Sequence, residues 1–133
     1  MKRVIAAAIV KNNKLLIAQR AKGENLAGMW EFPGGKIEIG ETDEKCIIRE
    51  IKEELNIEIS VEAYLGEHRV ENEKSDINLV LYKAKGIGGE PTLSVHDKIE
   101  WVGVNELKNY LFAPADTYFV EALIPNKISV LGL

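Results

Sequence analysis

The chain has 133 residues, which suits one domain with its own core and leaves little room for two. Hydrophobic residues make up 46% of it and charged residues 29%, a composition typical of a soluble globular protein. Its net charge of −4 argues against a protein that reads duplex DNA, because such proteins usually carry a basic face. We therefore expect a single domain over residues 1–133.

Cysteine content and hydropathy indicate the compartment. The single cysteine, Cys46, excludes an intrachain disulfide framework and fits a reducing environment. No apolar run approaches the ~20 residues that span a bilayer, and the first residues do not resemble a signal peptide. We expect a cytoplasmic protein without a membrane partner.

The first third of the chain predicts a β-hairpin, a loop and a short strand. Residues Lys2 to Val10 and Leu15 to Arg20 are apolar and β-branched, and a polar turn separates them. Residues 21–29 contain two glycines and predict a loop. The short strand Trp30 to Phe32 then meets Pro33-Gly34-Gly35, which predicts a turn.

A helix is predicted from Asp43 to Leu55. Thr42 is a suitable N-cap, and Asn56 is expected to end the helix. The apolar positions recur every four residues and form the stripe that would face the core. These positions are Ile47, Ile51 and Leu55, joined by Ile48.

More strands and two short helices are predicted in the remainder. They are strands at 57–70 and 77–85 around a polar turn, a loop at 86–90, a last strand at 98–104, and helices at 105–110 and 114–123. Pro114 is well placed for a first helical turn. The order of strands, helix, strands and helix predicts an α/β (α+β) fold, a mixed sheet with helices packed on its faces.

Three glutamates share one face of the predicted helix. Glu50, Glu53 and Glu54 stand at positions i, i+3 and i+4. Each pair of like charges at this spacing costs roughly a few tenths of a kcal/mol, so the arrangement adds no stability. One interpretation is a solvated acidic face. The other is a site for a hard divalent cation, which binds oxygen ligands and would offset the repulsion.

The residues before the helix favour the metal site. Five residues separate Gly35 from Glu41, and seven more precede Arg49-Glu50-Ile51, which is followed by Glu53-Glu54 and Asn56-Ile57. This spacing resembles the Nudix box, G-x5-E-x7-R-E-U-x-E-E-x-G-U, where U is a bulky aliphatic residue. The resemblance implies the Nudix fold, in which a mixed β-sheet lies between helices.

Roles for the matching residues are implied by the same resemblance. Glu41 would face the metal site, and Arg49 would hold a glutamate through a bidentate pair. Glu50 would act as the base or orient the attacking water. The ion would be Mg²⁺, with Mn²⁺ as an alternative. Its implied ligands are the side chains of Glu50, Glu53 and Glu54, with a backbone carbonyl of the Gly34-Gly35 turn.

Two positions depart from the family pattern. Asn56 stands where the family has glycine just past the helix, and we expect it to adopt the left-handed conformation at a cost of about a fraction of a kcal/mol. Val95 stands where members often place an additional glutamate. The neighbouring His96 and Asp97 are candidates to replace it.

Further segments resemble the MutT-like and CTP pyrophosphohydrolase branch. They are Leu16 to Arg20, Trp30 to Glu38, and Phe112 to Asp116. Enzymes of this branch convert a nucleoside triphosphate to the monophosphate and pyrophosphate. The resemblance implies that Arg20 contacts the substrate, while Phe32 is either a wall of the base pocket or plain core.

Position 116 bears on the choice of base. MutT has asparagine there, whereas this chain has Asp116, as the CTP pyrophosphohydrolases do. An ionised carboxylate only accepts hydrogen bonds, which suits the N4 amine of cytosine and also the N7–H of 8-oxo-guanine. We favour cytosine slightly. A third interpretation makes Asp116 a partner of the helix dipole.

We therefore predict a Mg²⁺-dependent nucleoside triphosphate pyrophosphohydrolase. Its substrates would be 8-oxo-dGTP or (d)CTP and its modified forms, in sanitation of the nucleotide pool. The alternatives are a Nudix hydrolase of another nucleoside diphosphate derivative, such as a sugar or dinucleotide, and a non-catalytic nucleotide-binding module. We expect a small-molecule nucleotide as partner, no nucleic acid polymer, and a monomer or homodimer.

Overall fold

The computed structural model describes residues 1–71 and 76–124. The predicted polar turn between 70 and 77 lies largely outside the described residues. The elements are β1 (Lys2–Lys11), β2 (Lys14–Arg20), β3 (Trp30–Glu31), β4 (Gly34–Lys36), α1 (Asp43–Leu55), β5 (Glu58–Glu71), β6 (Asp76–Gly88), β7 (His96–Val102), a 3₁₀ helix (Val104–Asn109) and α2 (Pro114–Leu123).

The seven strands form one mixed sheet. Its main path runs β3-β2-β1-β6-β5, while β4 pairs with β1 and β7 pairs with β2. Strands β1 and β6 are parallel, and the other pairs are antiparallel. The sheet is therefore mixed, as the order of the elements predicts.

Alternating side chains of β1 supply both faces of the sheet with core residues. On one face Ile5, Ala7 and Ile9 pack with the buried stripe of α1, which consists of Cys46, Ile47, Ile51 and Leu55. On the other face Ala6 and Ala8 belong to a second core with residues of the 3₁₀ helix and α2. The prediction of a sheet between helices is confirmed.

Both ends of α1 lie where the sequence predicts them. The Thr42 hydroxyl accepts a hydrogen bond from the backbone N–H of Lys45 at 3.2 Å. Asn56 has φ 57°, in the left-handed region, and its side-chain amide donates to the Glu90 carbonyl at 3.1 Å. No helix within residues 1–71 and 76–124 is long and apolar enough to cross a bilayer.

The turn prediction for Gly34 and Gly35 was wrong, because both residues belong to β4. They pair with Ala6 and Ile5 of β1. A Cβ atom at Gly34 would overlap the backbone carbonyl of Ile5. Glycine is therefore required at position 34 by the close approach of two backbones rather than by a turn.

Several other elements also differ from the prediction. Strand β7 runs from His96 to Val102, two residues earlier than the predicted strand at 98–104. Strand β6 continues to Gly88, into the predicted loop at 86–90, because it keeps pairing with β5 as far as Glu58. The predicted helix at 105–110 is a 3₁₀ helix. Strand β3 ends at Glu31, one residue before Phe32.

Candidate active site

A cavity of about 580 Å³ opens beside the strands β2, β3 and β4. Its walls include the loop after β2, the end of α1 and the first turn of α2. Several predicted site residues line it, namely Arg20, Phe32, Gly34, Gly35, Glu54 and Asp116. The others, Glu41, Arg49, Glu50 and Glu53, are not among the lining residues.

Arg49 gathers the other glutamates of the box. Its Nε and Nη2 donate to the two carboxylate oxygens of Glu41 at 2.6 and 2.9 Å, which is the bidentate geometry that the sequence predicts. Its Nη1 donates to Glu50 at 2.8 Å and to Glu53 at 3.2 Å. The hydrogen bonds from Arg49 and from the backbone N–H of Glu38 lower the pKa of Glu41 to about 2.

Glu54 differs from these carboxylates because Arg49 does not hold it. Its Oε1 is buried and has no hydrogen-bond partner in the described part of the chain. Burial, followed by the negative charges of Glu50, Glu31 and Glu53, raises the pKa of Glu54 to about 8. A cation beside Glu54 would relieve both the missing partner and the repulsion.

The residues fit a hard divalent cation by their chemistry. Gly35 touches the Glu50 carboxylate so closely that a Cβ atom there would overlap it, so main chain and carboxylate oxygens lie together. Carboxylate and carbonyl oxygens are the ligands that such ions prefer. Within the described residues, no three His, Cys, Asp or Glu side chains stand ready to hold a metal ion. Arg49 uses one carboxylate oxygen of Glu50 and one of Glu53, so each of these side chains keeps a second oxygen for an ion.

Phe32 and Asp116 also line the cavity. Phe32 is buried, and its ring centroid lies 5.7 Å from that of Phe112, so this residue is core and cavity wall at once. Asp116, in the first turn of α2, is only 5% exposed, and its Oδ1 accepts a hydrogen bond from the backbone N–H of Phe32 at 3.0 Å. Burial raises the pKa of Asp116 to about 7.

Glu31 and His96 form a partly buried pair that the sequence did not predict. His96 Nε2 lies 2.8 Å from Glu31 Oε2, and the two residues are 65 positions apart. The other oxygen, Oε1, accepts from Arg20 Nη1 at 2.7 Å. Burial acts to raise the pKa of Glu31, but the hydrogen bonds from His96 and Arg20 outweigh it, so the pKa is lowered.

His96 and Asp97, the candidates for an additional metal ligand, both have other partners. His96 is paired with Glu31. Asp97 Oδ2 accepts from the backbone N–H of Lys22 at 3.0 Å, so it ties β7 to the loop after β2. No signal in the sequence predicts either contact, because both depend on the register between β2 and β7.

Residues 1–123 match the family model of the NUDIX domain. The chain belongs to the Nudix family. A Nudix relative, the CTP pyrophosphohydrolase of Escherichia coli (strain K12), is 36% identical over 124 residues, which cover 93% of this chain and 92% of that protein. The putative 8-oxo-dGTP diphosphatase 2 of Mycobacterium tuberculosis (strain ATCC 25618 / H37Rv) is 37% identical over 123 residues, covering 90% of this chain and 86% of that protein.

Solved structures share the fold. The solution structure of the E. coli ORF135 protein superposes with a TM-score of 0.84 at 34% identity, covering 96% of this chain and 91% of that chain. As a Nudix hydrolase, the protein belongs to a class that generally needs a divalent metal. Nudix nucleotide hydrolases act on small-molecule nucleotides.

Proposed function

We propose that this Nudix hydrolase is a Mg²⁺-dependent nucleoside triphosphate pyrophosphohydrolase. It converts a nucleoside triphosphate and water to the nucleoside monophosphate and pyrophosphate. Its substrates are oxidised or modified nucleotides such as 8-oxo-dGTP, or (d)CTP and its modified forms. The names of the relatives in Escherichia coli and Mycobacterium tuberculosis support this substrate class.

The observation that carries the proposal is the polarity of one cavity. Glu54 and Gly35 line it on the side of the acidic helix α1, which packs on one face of the sheet. Asp116 lines it from α2, which packs on the other face, and is hydrogen-bonded to Phe32. A nucleotide has the matching polarity, with an anionic phosphate chain at one end and an aromatic base at the other. The cavity volume of about 580 Å³ is typical of small-molecule sites.

Carboxylates alone would repel the phosphate chain, so the site needs a cation. We propose that Glu50, Glu53 and Glu54 bind Mg²⁺ together with a backbone carbonyl of Gly34 or Gly35. The ion, when bound, supplies positive charge that neutralises the phosphate oxygens.

The remaining chemistry falls to the side chains of the chain itself. Arg20 donates hydrogen bonds to the phosphate chain, and Arg49 holds Glu41 and keeps the box glutamates in reach of the ion. Glu50 orients the attacking water or accepts its proton as the water oxygen bonds to phosphorus. The bond between the α- and β-phosphates breaks, and pyrophosphate leaves.

Base recognition is assigned to Phe32 and Asp116. The Phe32 ring offers an apolar face for stacking. Asp116 uses Oδ1 for the backbone N–H of Phe32, so Oδ2 can accept from the N4 amine of cytosine or the N7–H of 8-oxo-guanine. Asp116 has this backbone partner within the cavity wall, which favours a role in the pocket over that of a helix-dipole partner alone.

The test is a steady-state comparison of kcat/KM with Mg²⁺ for 8-oxo-dGTP, dCTP, 5-methyl-dCTP and dGTP. The products are separated to distinguish pyrophosphate from phosphate. We expect pyrophosphate release from at least one of the first three nucleotides. The kcat/KM for that nucleotide should exceed the kcat/KM for dGTP at least about tenfold. Glu53→Gln should abolish it.

Three results would contradict the proposal. Hydrolysis of a nucleotide sugar or dinucleotide alone would assign the chain to another Nudix substrate class. Nucleotide binding without hydrolysis would make it a binding module. Full activity of Glu53→Gln would contradict the proposed metal site. The cytoplasmic location, the monomeric or homodimeric state and the lack of a nucleic acid polymer as partner stay predictions.

A further inference from the structure

A chain of hydrogen bonds crosses three strands at the wall of the cavity. It runs from His96 on β7 to Glu31 on β3 and on to Arg20 on β2. Arg20 Nε then donates to the backbone carbonyl of Asn25 at 2.6 Å, in the loop after β2. The register of the sheet makes this possible, since Arg20 and His96 are direct cross-strand partners.

Each side chain in this series of hydrogen bonds is held in position by the next one. Both oxygens of the Glu31 carboxylate are used, one by His96 and one by Arg20. The two bonds of Arg20 use Nε and Nη1, and neither uses Nη2. The long side chain of Arg20 is thereby held in one orientation, and its Nη2 can still donate to a ligand.

The location of these hydrogen-bonded side chains in the cavity wall indicates a ligand rather than a role in the core alone. Arg20, Glu31 and His96 all line the cavity. In the described part of the chain, two buried side-chain atoms lack a hydrogen-bond partner, namely Nδ1 of His96 and Oε1 of Glu54. Both belong to residues of the cavity wall. Buried polar atoms without a partner are costly, so they indicate that something else binds there.

The pairing of His96 with Glu31 sets the tautomer of its ring. Nε2 faces a carboxylate oxygen, so this nitrogen carries the hydrogen and donates it. His96 therefore acts on Glu31 as a hydrogen-bond donor, and its side chain is only 3% exposed.

We propose that His96 is a positioning residue, which acts through Glu31 to hold the guanidinium of Arg20 toward the phosphate chain of the nucleotide. This proposal rests on the proposed function, because it takes the bound nucleotide as the occupant of the cavity. His96 would affect ground-state binding rather than the chemical step, because the group that it orients binds the substrate.

The experiment is a double-mutant cycle of His96→Leu and Arg20→Ala, with kcat and KM measured for the nucleotide that the parent hydrolyses best. Dissociation constants for its α,β-methylene analogue are measured with Mg²⁺. We expect His96→Leu alone to raise KM and the dissociation constant about tenfold and to change kcat by less than about threefold. In the Arg20→Ala background the same substitution should change neither by more than about twofold.

Glutamine at position 96 is the conservative control, because its amide nitrogen can donate where Nε2 does. His96→Gln should stay within about threefold of the parent in KM. Equal losses in His96→Leu and His96→Gln would overturn the proposal, and so would a tenfold effect of His96→Leu that persists without Arg20. If His96→Leu does not fold, His96→Asn replaces it, since its side chain is too short to reach Glu31.

A measurement without nucleotide separates this proposal from the proposed function. Nitrogen-15 relaxation at Arg20 Nε reports how rigidly the guanidinium is held. We expect a rigid signal in the parent and in His96→Gln, and a mobile one in His96→Leu. A mobile signal in the parent would overturn the positioning role even if hydrolysis is observed. An inactive parent with a rigid Arg20 would overturn the proposed function, while the hold of His96 on Arg20 through Glu31 would stand.

Discussion

Two carboxylic acids of the cavity wall, Glu54 on α1 and Asp116 on α2, have a raised pKa, but their surroundings differ. Burial is the largest cause for both, and it raises the pKa of Glu54 to about 8 and that of Asp116 to about 7. Around Glu54 the further causes are the negative charges of Glu50, Glu31 and Glu53. Around Asp116 a backbone N–H of Phe32 acts in the opposite direction, and Glu31 is the one carboxylate that opposes it.

The difference indicates what Glu54 and Asp116 each require from a ligand. A surplus of negative charge is relieved by a cation, because a neutral donor leaves the repulsion between carboxylates in place. A single desolvated acceptor is relieved by a hydrogen-bond donor, and a cation is not needed there. We therefore expect the cavity to discriminate between ligands by charge at Glu54 and by hydrogen-bond pattern at Asp116.

Among the variants that test this comparison, Glu54→Gln is expected to have the largest effect. We expect kcat to fall at least about a hundredfold, because an amide is a poorer ligand than a carboxylate. The metal-free protein should melt no lower than the parent, because a buried and repelled carboxyl is replaced by a neutral group of the same shape. The rise in Tm on adding Mg²⁺ should disappear, and differential scanning fluorimetry measures both values.

Glu58→Gln is the matched control for this experiment. Glu58 is exposed on β5, outside the cavity, and we expect both the kcat and the Mg²⁺-induced rise in Tm to match those of the parent. A Glu54→Gln protein that Mg²⁺ still stabilises fully would disprove the charge-based account of Glu54.

The second prediction compares two arginines that hold carboxylates in the same bidentate way. Arg49 holds Glu41, and Arg3 holds Asp43 at 2.9 and 2.6 Å outside the cavity. Lysine cannot form two parallel bonds to one carboxylate. We expect Arg49→Lys to lower kcat about tenfold or more.

Arg3→Lys should leave kcat/KM within about twofold of the parent and lower the free energy of unfolding by at most about 1 kcal/mol. Chemical denaturation and steady-state kinetics of both variants make the comparison. Equal losses of activity in the two variants would show that the bidentate pair matters only for the stability of α1.

The smallest effects are expected from Asp116→Asn, at the residue proposed to recognise the base. Asparagine offers both a donor and an acceptor, so the ratio of kcat/KM for dCTP to that for 8-oxo-dGTP should fall about tenfold. In the parent, kcat/KM for dCTP should rise as the pH increases through about 7, because the ionised carboxylate accepts from N4. That rise should be absent in Asp116→Asn, and an unchanged ratio would remove Asp116 from base recognition.

The same substitution should alter how stability depends on pH. The folded pKa of about 7 lies above the ordinary value of 3.8, so between these values the folded protein binds more protons than the unfolded one. The contribution of Asp116 is therefore fully present at low pH and is lost as the pH rises from about 4 to about 7. Asp116→Asn should melt closer to the parent at pH 5 than at pH 8.

Local patterns in the sequence predict α1 and its carboxylates well. The four-residue apolar period, the Thr42 cap and the left-handed Asn56 all act within a few residues of one another, so the sequence carries them directly. The hairpin of β1 and β2 is predicted for the same reason. The grip of Arg49 on Glu41 could also be expected, because the box fixes their spacing.

Contacts that depend on the register of distant strands could not be predicted. Gly34 and Gly35 carry the composition of a turn, yet the backbone of β1 determines their conformation. The pair of Glu31 and His96 forms only because β2 lies between β3 and β7. Phe32 left two interpretations open because it is both core and cavity wall, which no pattern in the sequence distinguishes.

The backbone of β4 at Gly34 and Gly35 has a consequence for directed evolution of this enzyme. Because glycine has no side chain, the main chain itself forms that part of the wall. A substitution at Gly34 or Gly35 would place a Cβ atom against Ile5 or Glu50 instead of reshaping the pocket. Substitution libraries aimed at new substrates should keep both positions fixed. Diversity belongs at residues 113–115 and at Val70, whose side chains line the same cavity.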